Sequence, residues 1–317
     1  MTTREGLHKE KERILMKKKK SEDLDRVIKR ITTIEKIRPS HKEILQFVKY
    51  IIREQYKIKP LIKVKRIDIN EETAKKLMSE GFPLIDKKEI KLDMDSAENL
   101  FKNICRALQR KEKIAPEIKK INQAIRKGEI DLQELFKKLV EGDKEYLDSI
   151  GEKTGLNKWL LLFLAESSIN PSLEAYAEKL KGYVAQESWL RSYCPVCGSA
   201  PVSGELRNVE KLEGGVRFLV CSSCSFKWRF KRLTCPFCGN NDHKKLRYFN
   251  TEADGKAYRV DVCEECKKYI KTIDTGALGE ITPLVEDMAT LHLDVIAQKE
   301  GYKRGVPGVL EMEKSGE

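Results

Sequence analysis

The stretch Cys194-Pro-Val-Cys197-Gly198 recurs 41 residues later as Cys235-Pro-Phe-Cys238-Gly239. A second pair, Cys221-Ser-Ser-Cys224, recurs 42 residues later as Cys263-Glu-Glu-Cys266. Eight of the nine cysteines therefore stand in four C-x-x-C pairs, and the four pairs form two copies of one unit. Self-similarity at a fixed period is typical of a duplicated module.

Each unit carries two alternating runs, separated by a turn, between its two cysteine pairs. The successive runs and turns are 206–212, 213–215 and 216–220 in the first unit, and 245–250, 254–255 and 256–262 in the second. Gly-Gly or Asp-Gly between alternating runs predicts a β-hairpin. A hairpin would bring the two pairs of a unit together as a tetrahedral four-thiolate site, the geometry that structural zinc or a single rubredoxin-like iron prefers.

We therefore predict two metal sites, each formed within its own unit. The predicted ligands are Cys194, Cys197, Cys221 and Cys224 in the first site, and Cys235, Cys238, Cys263 and Cys266 in the second. Two alternatives stay open: disulfides, which need an oxidising compartment, and crossed pairing between the units, which would abandon the repeat symmetry. The donor set alone does not separate iron from zinc.

Length and composition favour a multidomain protein outside the membrane. A chain of 317 residues is long enough for two or three domains. No apolar run approaches the roughly 18 residues of a membrane helix, and the basic first 20 residues lack the apolar region of a signal peptide. We expect no membrane insertion and a cytoplasmic location. The net charge of +12 is typical of nucleic-acid binding or of a solvated Lys-rich surface, and we favour the second interpretation.

The periodicity before the cysteines is helical. We predict helix starts at Ser40, at Asn70 and at the capping-box pattern Asp95-x-x-Glu98. Separate helices are expected over 156–169 and 171–190, and a single amphipathic helix over about 282–300. The predicted fold class is α+β and multidomain. Its segments are a basic, disordered tail (1–22), an α-helical domain (23–190), two rubredoxin-like or zinc-ribbon four-cysteine modules (191–232 and 233–275), and a C-terminal helix with a tail (276–317).

No catalytic residues are predicted. Phosphate-loop, dinucleotide and nucleophile-elbow motifs do not occur in the sequence. Cys105 lies at helical spacing among apolar residues and is interpreted as a buried, inert thiol. His243 could in principle be a ligand, but four cysteines already complete the second site. His292 is interpreted as a core histidine on the last helix, where Glu286 and Asp287 are interpreted as capping carboxylates.

The segment Lys-Trp-Arg-Phe-Lys-Arg at 227–232 joins the two modules. Alternating aromatic and basic residues suit single-stranded nucleic acid. They equally suit a strand that packs Trp228 and Phe230 against the modules and turns its cations outward, and the short connector favours packing. If the protein binds a partner, we expect the cations of this segment and the Glu286-Asp287 pair to form the docking surface.

Several stretches together resemble the formate dehydrogenase accessory proteins, the FdhE family. They are Ser188–Val202, Phe218–Cys224 with Trp228, Cys235–Gly239, Val262–Lys271, and Glu286–Asp294 leading to Gly301-Tyr302. The similarity covers about residues 155–304. Each C-x-x-C alone is a weak signal, but the ordered combination is specific.

The resemblance implies a cytoplasmic, non-catalytic maturation factor that binds the catalytic subunit of formate dehydrogenase. It also implies a helical N-terminal domain, two rubredoxin-like modules, and iron as the family's metal, with one ion per module. The alternatives are a tandem zinc-ribbon protein that binds nucleic acid and a thiol or iron redox enzyme, and a homodimer stays open. The residues themselves predict the metal sites but not the formate dehydrogenase partner.

Overall fold

The structure is a computed structural model, which describes residues 22–207 and 215–306. The predicted basic tail, apart from residue 22, lies outside the described residues, as does the acidic end after residue 306. Most of the predicted turn of the first hairpin also falls outside them.

The described chain up to Tyr183 is helical and contains no strand. Its α-helices are α1 (residues 22–37), α2 (Lys42–Ile58), α3 (Glu71–Glu80), α4 (Met94–Leu108), α5 (Ala115–Arg126), α6 (Leu132–Glu141), α7 (Lys144–Thr154) and α8 (Lys158–Leu180). Single 3-10 turns lie at Pro39–His41, Lys59–Leu61, Lys87–Glu89 and Lys181–Tyr183. Within the described residues, none of the helices combines the length and apolarity needed to cross a membrane.

The helix ends follow local capping chemistry, although two predicted starts are wrong. Asn70 caps α3 by accepting a 2.8 Å hydrogen bond from the Thr73 amide, as predicted. Helix α2 begins after a 3-10 turn and not at a Ser40 cap. Helix α4 is capped by Asp93, which accepts from the amide of Ser96, because Asp95 already lies inside the first turn.

Helix α8 runs through Pro171, where the sequence predicted two helices. A proline inside a helix removes the amide that would bond the carbonyl four residues earlier. That carbonyl belongs to Ser167, and the side-chain amide of Gln55 on α2 donates a 2.7 Å hydrogen bond to it. The helix continues because a neighbouring helix satisfies the group that the proline leaves unpaired.

The cysteine-rich region forms one continuous sheet. Its strands are β1 (Pro201–Arg207), β2 (Val216–Cys221), β3 (Lys227–Phe230), β4 (Leu246–Phe249), β5 (Tyr258–Cys263), β6 (Lys268–Asp274) and β7 (Lys303–Arg304). The strand order is β3-β2-β1-β6-β5-β4, with β7 paired to β6. Each unit thus contributes three antiparallel strands, and the units join where β1 pairs in parallel with β6. The predicted α+β class, with a helical N-terminal region and four-cysteine groups after it, is confirmed.

The junction between the units depends on Gly204. This residue lies opposite Thr272 in the β1–β6 pairing. A Cβ atom at position 204 would lie 2.7 Å from the Thr272 hydroxyl oxygen. Glycine is therefore required for the two strands to approach as closely as they do.

The C-terminal segment forms two helices where the sequence predicted one. After the short helix α9 (Thr275–Leu278) come α10 (Pro283–Ala289) and α11 (Leu291–Lys299), which are separated at Thr290. Thr290 is buried and non-helical in φ and ψ, and its hydroxyl donates a 2.8 Å hydrogen bond to the Glu286 carbonyl. The break lets α10 pack on the N-terminal helices while α11 packs on β5 and β6.

Buried ion pairs fasten these helices to the sheet. Lys271 on β6 contacts the carboxylates of Asp287 at 2.7 Å and Asp294 at 2.6 Å. Arg304 also pairs with Asp287. Burial alone would raise the pKa of Asp287, but the charges of Arg304 and Lys271 outweigh it and lower the pKa to about 2. Asp287 is therefore ionised inside the protein.

The same network corrects the expected role of the Glu286-Asp287 pair. Glu286 is fully buried and accepts a 2.9 Å hydrogen bond from Arg30 on α1. Both carboxylates are committed to internal contacts, so neither lies on an exposed docking surface. The pair joins α10 to the sheet and to the first described helix.

We predict that Lys271→Met destabilises the fold by about 3–5 kcal/mol, because removing one partner of a buried ion pair leaves an undercompensated charge. Urea titration of the full chain measures this change in the free energy of unfolding. The exposed Lys299 offers a matched control, and Lys299→Met should change the value by less than about 0.5 kcal/mol. Equal stability of the two variants would contradict the role given to Lys271.

Candidate metal centres

The first cysteine pair of each unit forms a tight backbone turn. The amide of Gly198 donates to the Cys194 carbonyl at 2.9 Å, and the amide of Gly239 donates to the Cys235 carbonyl at 3.0 Å. Both glycines have positive φ, 72° and 76°, a conformation that glycine adopts without strain. The glycine after each Cys-Pro-x-Cys stretch thus closes the turn.

The second pair of each unit makes the same turn without glycine. Ser225 and Lys267 follow these pairs, and they are the non-glycine residues with positive φ in the described chain, at 56° and 54°. Such a conformation costs about 1 kcal/mol or more for an ordinary residue. The amide of Lys267 donates to the Cys263 carbonyl at 2.9 Å, so the turn closes as it does after the first pairs. All four turns therefore share a positive φ at the residue after the pair, and the closing hydrogen bond forms at Cys194, Cys235 and Cys263.

These turns bring the eight paired cysteines into two groups of four, one from each unit. In the first group the Sγ–Sγ distances are 3.7 Å for Cys194–Cys224, 3.5 Å for Cys197–Cys221 and 3.6 Å for Cys197–Cys224. In the second group, Cys235–Cys266 and Cys238–Cys263 are both 3.7 Å apart. No two sulfurs of a group are more than 4.8 Å apart, and none of the cysteines forms a disulfide.

The spacing of the sulfurs fits a four-coordinate metal ion. Four thiolates bound at about 2.3 Å to one tetrahedral ion lie about 3.8 Å from one another, close to the observed separations. Backbone amides also approach the sulfurs, as at Cys221 Sγ, which accepts from the amides of Ser223 and Cys224 at 3.4 Å. Amide donors of this kind stabilise metal-bound thiolates. Each group could hold one ion, with four soft donors that suit zinc and iron alike.

The two groups differ in their surroundings. All four cysteines of the first group are buried, and they share one core with helical-domain residues and Trp228. The loop after α3 also pairs with the first turn, since the amides of Leu84 and Ile85 donate to the carbonyls of Pro195 and Val196 at 2.8 and 3.0 Å. Burial raises the pKa of the Cys194 thiol well above its usual value, whereas hydrogen bonds from the neighbouring cysteines lower the pKa of Cys197.

The second group lies at the surface. Cys238 is exposed and Cys266 is half-buried. The C-terminal segment packs beside the group, because the Phe237 ring, between Cys235 and Cys238, lies so close to Gly305 that a Cβ atom at 305 would be 1.9 Å from it. The two copies of the unit thus differ: the first forms a buried group, and the second forms a group at the surface.

Other residues that the sequence singled out lie outside these groups. Cys105 is buried in α4, and burial raises the pKa of its thiol to about 12, which agrees with an inert thiol. His243 is exposed and belongs to neither group. His292 is half-buried and contacts Asp254 at 3.0 Å and Arg38 at 2.9 Å. His292 therefore lies in a polar cluster with Asp254 and Arg38, which directly follows α1, and not in the apolar core.

The connector between the modules packs inward. Trp228 and Phe230 are buried on β3, so their rings are unavailable for stacking on bases. Lys227 pairs with the buried carboxylate of Glu205, and Arg229 pairs with Glu187. This arrangement agrees with the packed interpretation of the connector, and it withdraws two of the four cations from the docking surface that the sequence suggested.

The sequence did not point to a set of cations beside the second group. Arg217 on β2 and Arg259 on β5 lie next to Asp261 and line a cavity that also touches Cys235 and Cys263. Arg259 and Asp261 are two residues apart on one strand and so face the same side of the sheet. Arg217 comes from the other unit, and only the pairing of the two units brings it there.

We predict that replacing Cys194 and Cys197 with serine removes one equivalent of metal and leaves the other bound, because each group is complete within its own unit. Metal analysis of the purified protein measures the stoichiometry. Replacing Cys235 and Cys238 should likewise remove one equivalent. Loss of both ions from either variant, with the helical region still folded, would instead favour coupled sites.

We also predict that a chelator removes the two ions in two phases, with the second group losing its ion at least tenfold faster. Cys238 is exposed, and an exposed ligand can be displaced without opening the core. A metal-sensitive dye measures the release. The Cys194→Ser/Cys197→Ser variant is the control and should retain only the fast phase. A single phase in the unmodified protein would contradict the difference between the groups.

Comparison with known proteins places both groups in recognised domains. The FdhE central domain matches residues 193–232, and the FdhE C-terminal domain matches residues 233–310. The boundary between these matches lies between the two four-cysteine groups. The first domain therefore contains the internal group, and the second contains the exposed group together with the C-terminal helices.

Curated relatives and a solved structure support the same assignment. The chain is 37% identical over 162 residues to a protein FdhE homolog of Aquifex aeolicus, a match that covers 50% of this chain and 56% of that protein. It is 33% identical over 114 residues to protein FdhE of Escherichia coli, which covers 36% of each. The matches thus span about half or less of the curated relatives' length.

The crystal structure of the FdhE protein from Pseudomonas aeruginosa has the same fold. It superimposes with a TM-score of 0.61 at 20% sequence identity, over 89% of this chain and 93% of that one. The fold agreement extends into the helical region, where the domain matches do not reach. Residues 193–310 of this chain thus match the FdhE central and C-terminal domains, and the fold of the described chain is that of the FdhE crystal structure.

Proposed function

We propose that this protein is a cytoplasmic accessory factor for formate dehydrogenase, and that it binds the catalytic subunit of that enzyme during its maturation. The observation that carries the proposal is the pair of four-cysteine groups, fused into one sheet, within FdhE central and C-terminal domains. A rigid surface held together by metal ions suits the recognition of another protein.

Each group holds one metal ion in this proposal. The ligands are Cys194, Cys197, Cys221 and Cys224 for the first ion and Cys235, Cys238, Cys263 and Cys266 for the second. The metal is iron or zinc. An absorption spectrum of protein purified without oxygen separates the two, because ferric tetrathiolate is coloured and zinc is not.

The protein acts by binding and not by catalysis in this proposal. The paired thiols are arranged as ligands, which removes them as nucleophiles. Cys105 is buried with a raised pKa. Two carboxylates of the described chain, Asp254 and Asp287, have strongly lowered pKa values, and both are held in ion pairs. Their roles are structural.

The docking surface that we propose lies beside the second group. Leu233 and Tyr248 are 65% and 64% exposed, and both border the cavity next to Cys235. Exposed large apolar side chains that lie together are typical of protein-binding surfaces. Arg232 is exposed next to Leu233, and Arg259 lies over the Tyr248 ring, which suits a partner with an acidic rim. This surface replaces the one suggested by the sequence, since Lys227, Arg229, Glu286 and Asp287 are engaged within the protein.

We predict that Leu233→Asp combined with Tyr248→Asp weakens capture of the formate dehydrogenase catalytic subunit at least tenfold, with the metal content unchanged. Removing two apolar contacts from the centre of an interface costs about 2 kcal/mol or more. A pull-down with the purified subunit measures the loss. Leu61 is 64% exposed on the helical side, and Leu61→Asp is the matched control that should bind normally.

Two results would count against these statements in different ways. Normal capture of the subunit by the double variant would contradict the proposed docking surface but not the proposed partner. Failure of the unmodified protein to capture the subunit would contradict the proposed function itself. Tight binding to random RNA that weakens steeply with salt would instead favour the nucleic-acid alternative.

A further inference from the structure

A small cavity opens on the face of the sheet opposite the C-terminal helices, beside the second four-cysteine group. Its volume is about 80 Å³. The lining includes four cations on this face, Arg217, Arg232, Arg259 and Lys268, together with one carboxylate, Asp261. The charge of the lining is therefore strongly positive.

Arg217 is the most deeply placed of these cations. Its side chain is 4% exposed. One terminal nitrogen donates to the Thr234 carbonyl at 3.1 Å, and the other contacts Asp261 at 3.3 Å. The Nε atom is buried and has no hydrogen-bond partner within the described chain. A buried N–H without an acceptor costs about 1–3 kcal/mol, and more when it carries charge.

Asp261 does not offset the surrounding charge by itself. Its carboxylate accepts a 2.7 Å hydrogen bond from the Thr272 hydroxyl, and it lies 2.8 Å from Arg259 Nε and 3.3 Å from Arg217. One carboxylate thus serves two guanidinium groups. Arg232 and Lys268, which also line the cavity, form no ion pair with a carboxylate of the described chain.

A metal tetrathiolate in the second group would carry negative charge and attract these cations. Direct neutralisation would place arginine N–H groups against the sulfurs. Within the described residues, the side-chain donor that contacts a sulfur of this group is Asn240, at 3.8 Å from Cys263 Sγ. The charge of Cys235 acts on Arg217 without a hydrogen bond between them, so Arg217 Nε keeps its N–H free for another acceptor.

We propose that this cavity binds a small oxyanion, a carboxylate or a phosphate, held by the guanidinium groups of Arg217 and Arg259. Guanidinium forks match the paired oxygens of such anions. The anion would accept a hydrogen bond from Arg217 Nε. Its negative charge would neutralise the positive charge that Asp261 alone does not offset. Its oxygens come either from a free ion or from the side chain of a bound protein.

The experiment is an NMR titration of the full, metal-loaded protein, which follows the arginine Nε–H resonances at constant ionic strength. Sodium acetate and sodium phosphate are the probes, and sodium chloride is the reference. Saturable shifts of one or two arginine resonances with acetate or phosphate, but not with chloride, are expected. The association constant for the anion should fall at least tenfold in Arg259→Gln and in Arg217→Lys. The second variant keeps the positive charge but loses the paired N–H groups of the guanidinium.

Controls separate anion binding from folding and from metal retention. Arg110 is exposed on the helical side, and Arg110→Gln should bind the anion normally. If Arg217→Lys fails to fold, Arg259→Gln carries the test, because Arg259 is half-buried. Metal content should stay at the unmodified level in every variant. Loss of the second ion from the arginine variants, with no anion shifts in the unmodified protein, would show that these residues only balance the thiolates and would overturn the proposal.

A second arm identifies the source of the oxyanion. A glutamate-rich peptide that binds at least tenfold more tightly than acetate, and that acetate displaces, would assign the site to the carboxylate of a protein partner. Tighter binding of acetate or phosphate would assign it to a free ion. Absence of saturable binding for all three probes would overturn the proposal. Because the titration uses this chain alone, its result does not depend on whether the formate dehydrogenase subunit binds.

Discussion

The parallel pairing of β1 with β6 is the contact on which the rest of the C-terminal architecture depends. Each cysteine unit alone is a small three-stranded module with one face to cover. The pairing turns two such modules into one sheet and fixes one four-cysteine group relative to the other. It requires a glycine at 204, since Thr272 occupies the space of any larger residue. With the sheet complete, α11 covers one face of the second unit, and the other face carries the cationic cavity.

Duplication produced two similar groups, and their positions in the sheet made them different. The first lies between the helical region and the sheet, where its cysteines belong to the largest core. A metal ion there would contribute folding free energy to both regions, because the turn at Pro195 and Val196 bonds directly to the loop after α3. The second group contacts the C-terminal segment and solvent. Its ion would stabilise a surface, and ligand exposure makes it the more exchangeable of the two.

The features that the sequence predicted correctly are local or repeated. The partition of eight cysteines into two groups follows from the 41- and 42-residue repeat, and the cap at Asn70 follows from its position before two glutamates. The errors concern groups whose partners are distant in sequence. Pro171 stays helical because Gln55, on another helix, bonds the freed carbonyl. The Glu286-Asp287 pair has the composition of an exposed helix start but is buried against Arg30 and Lys271. Arg217 lies at the cavity only because the two units pair, and no local sequence pattern predicts that pairing.

The net charge of +12 illustrates the same limit. A basic chain invites the prediction of a nucleic-acid surface, yet several of its cations lie inside the protein. Lys271 and Arg304 are nearly inaccessible and hold the C-terminal helices through Asp287 and Asp294. Lys227 neutralises the buried Glu205. A cation that is paired with a carboxylate inside the protein adds little to the electrostatic potential at the surface. The positive surface potential is therefore highest where cations outnumber carboxylates. The cavity beside the second group, which Arg217, Arg232, Arg259, Lys268 and Asp261 line, meets that condition. Exposed Leu233 and Tyr248 border the same cavity, so apolar and cationic side chains meet on one surface, which suits a protein segment that carries carboxylates beside apolar residues.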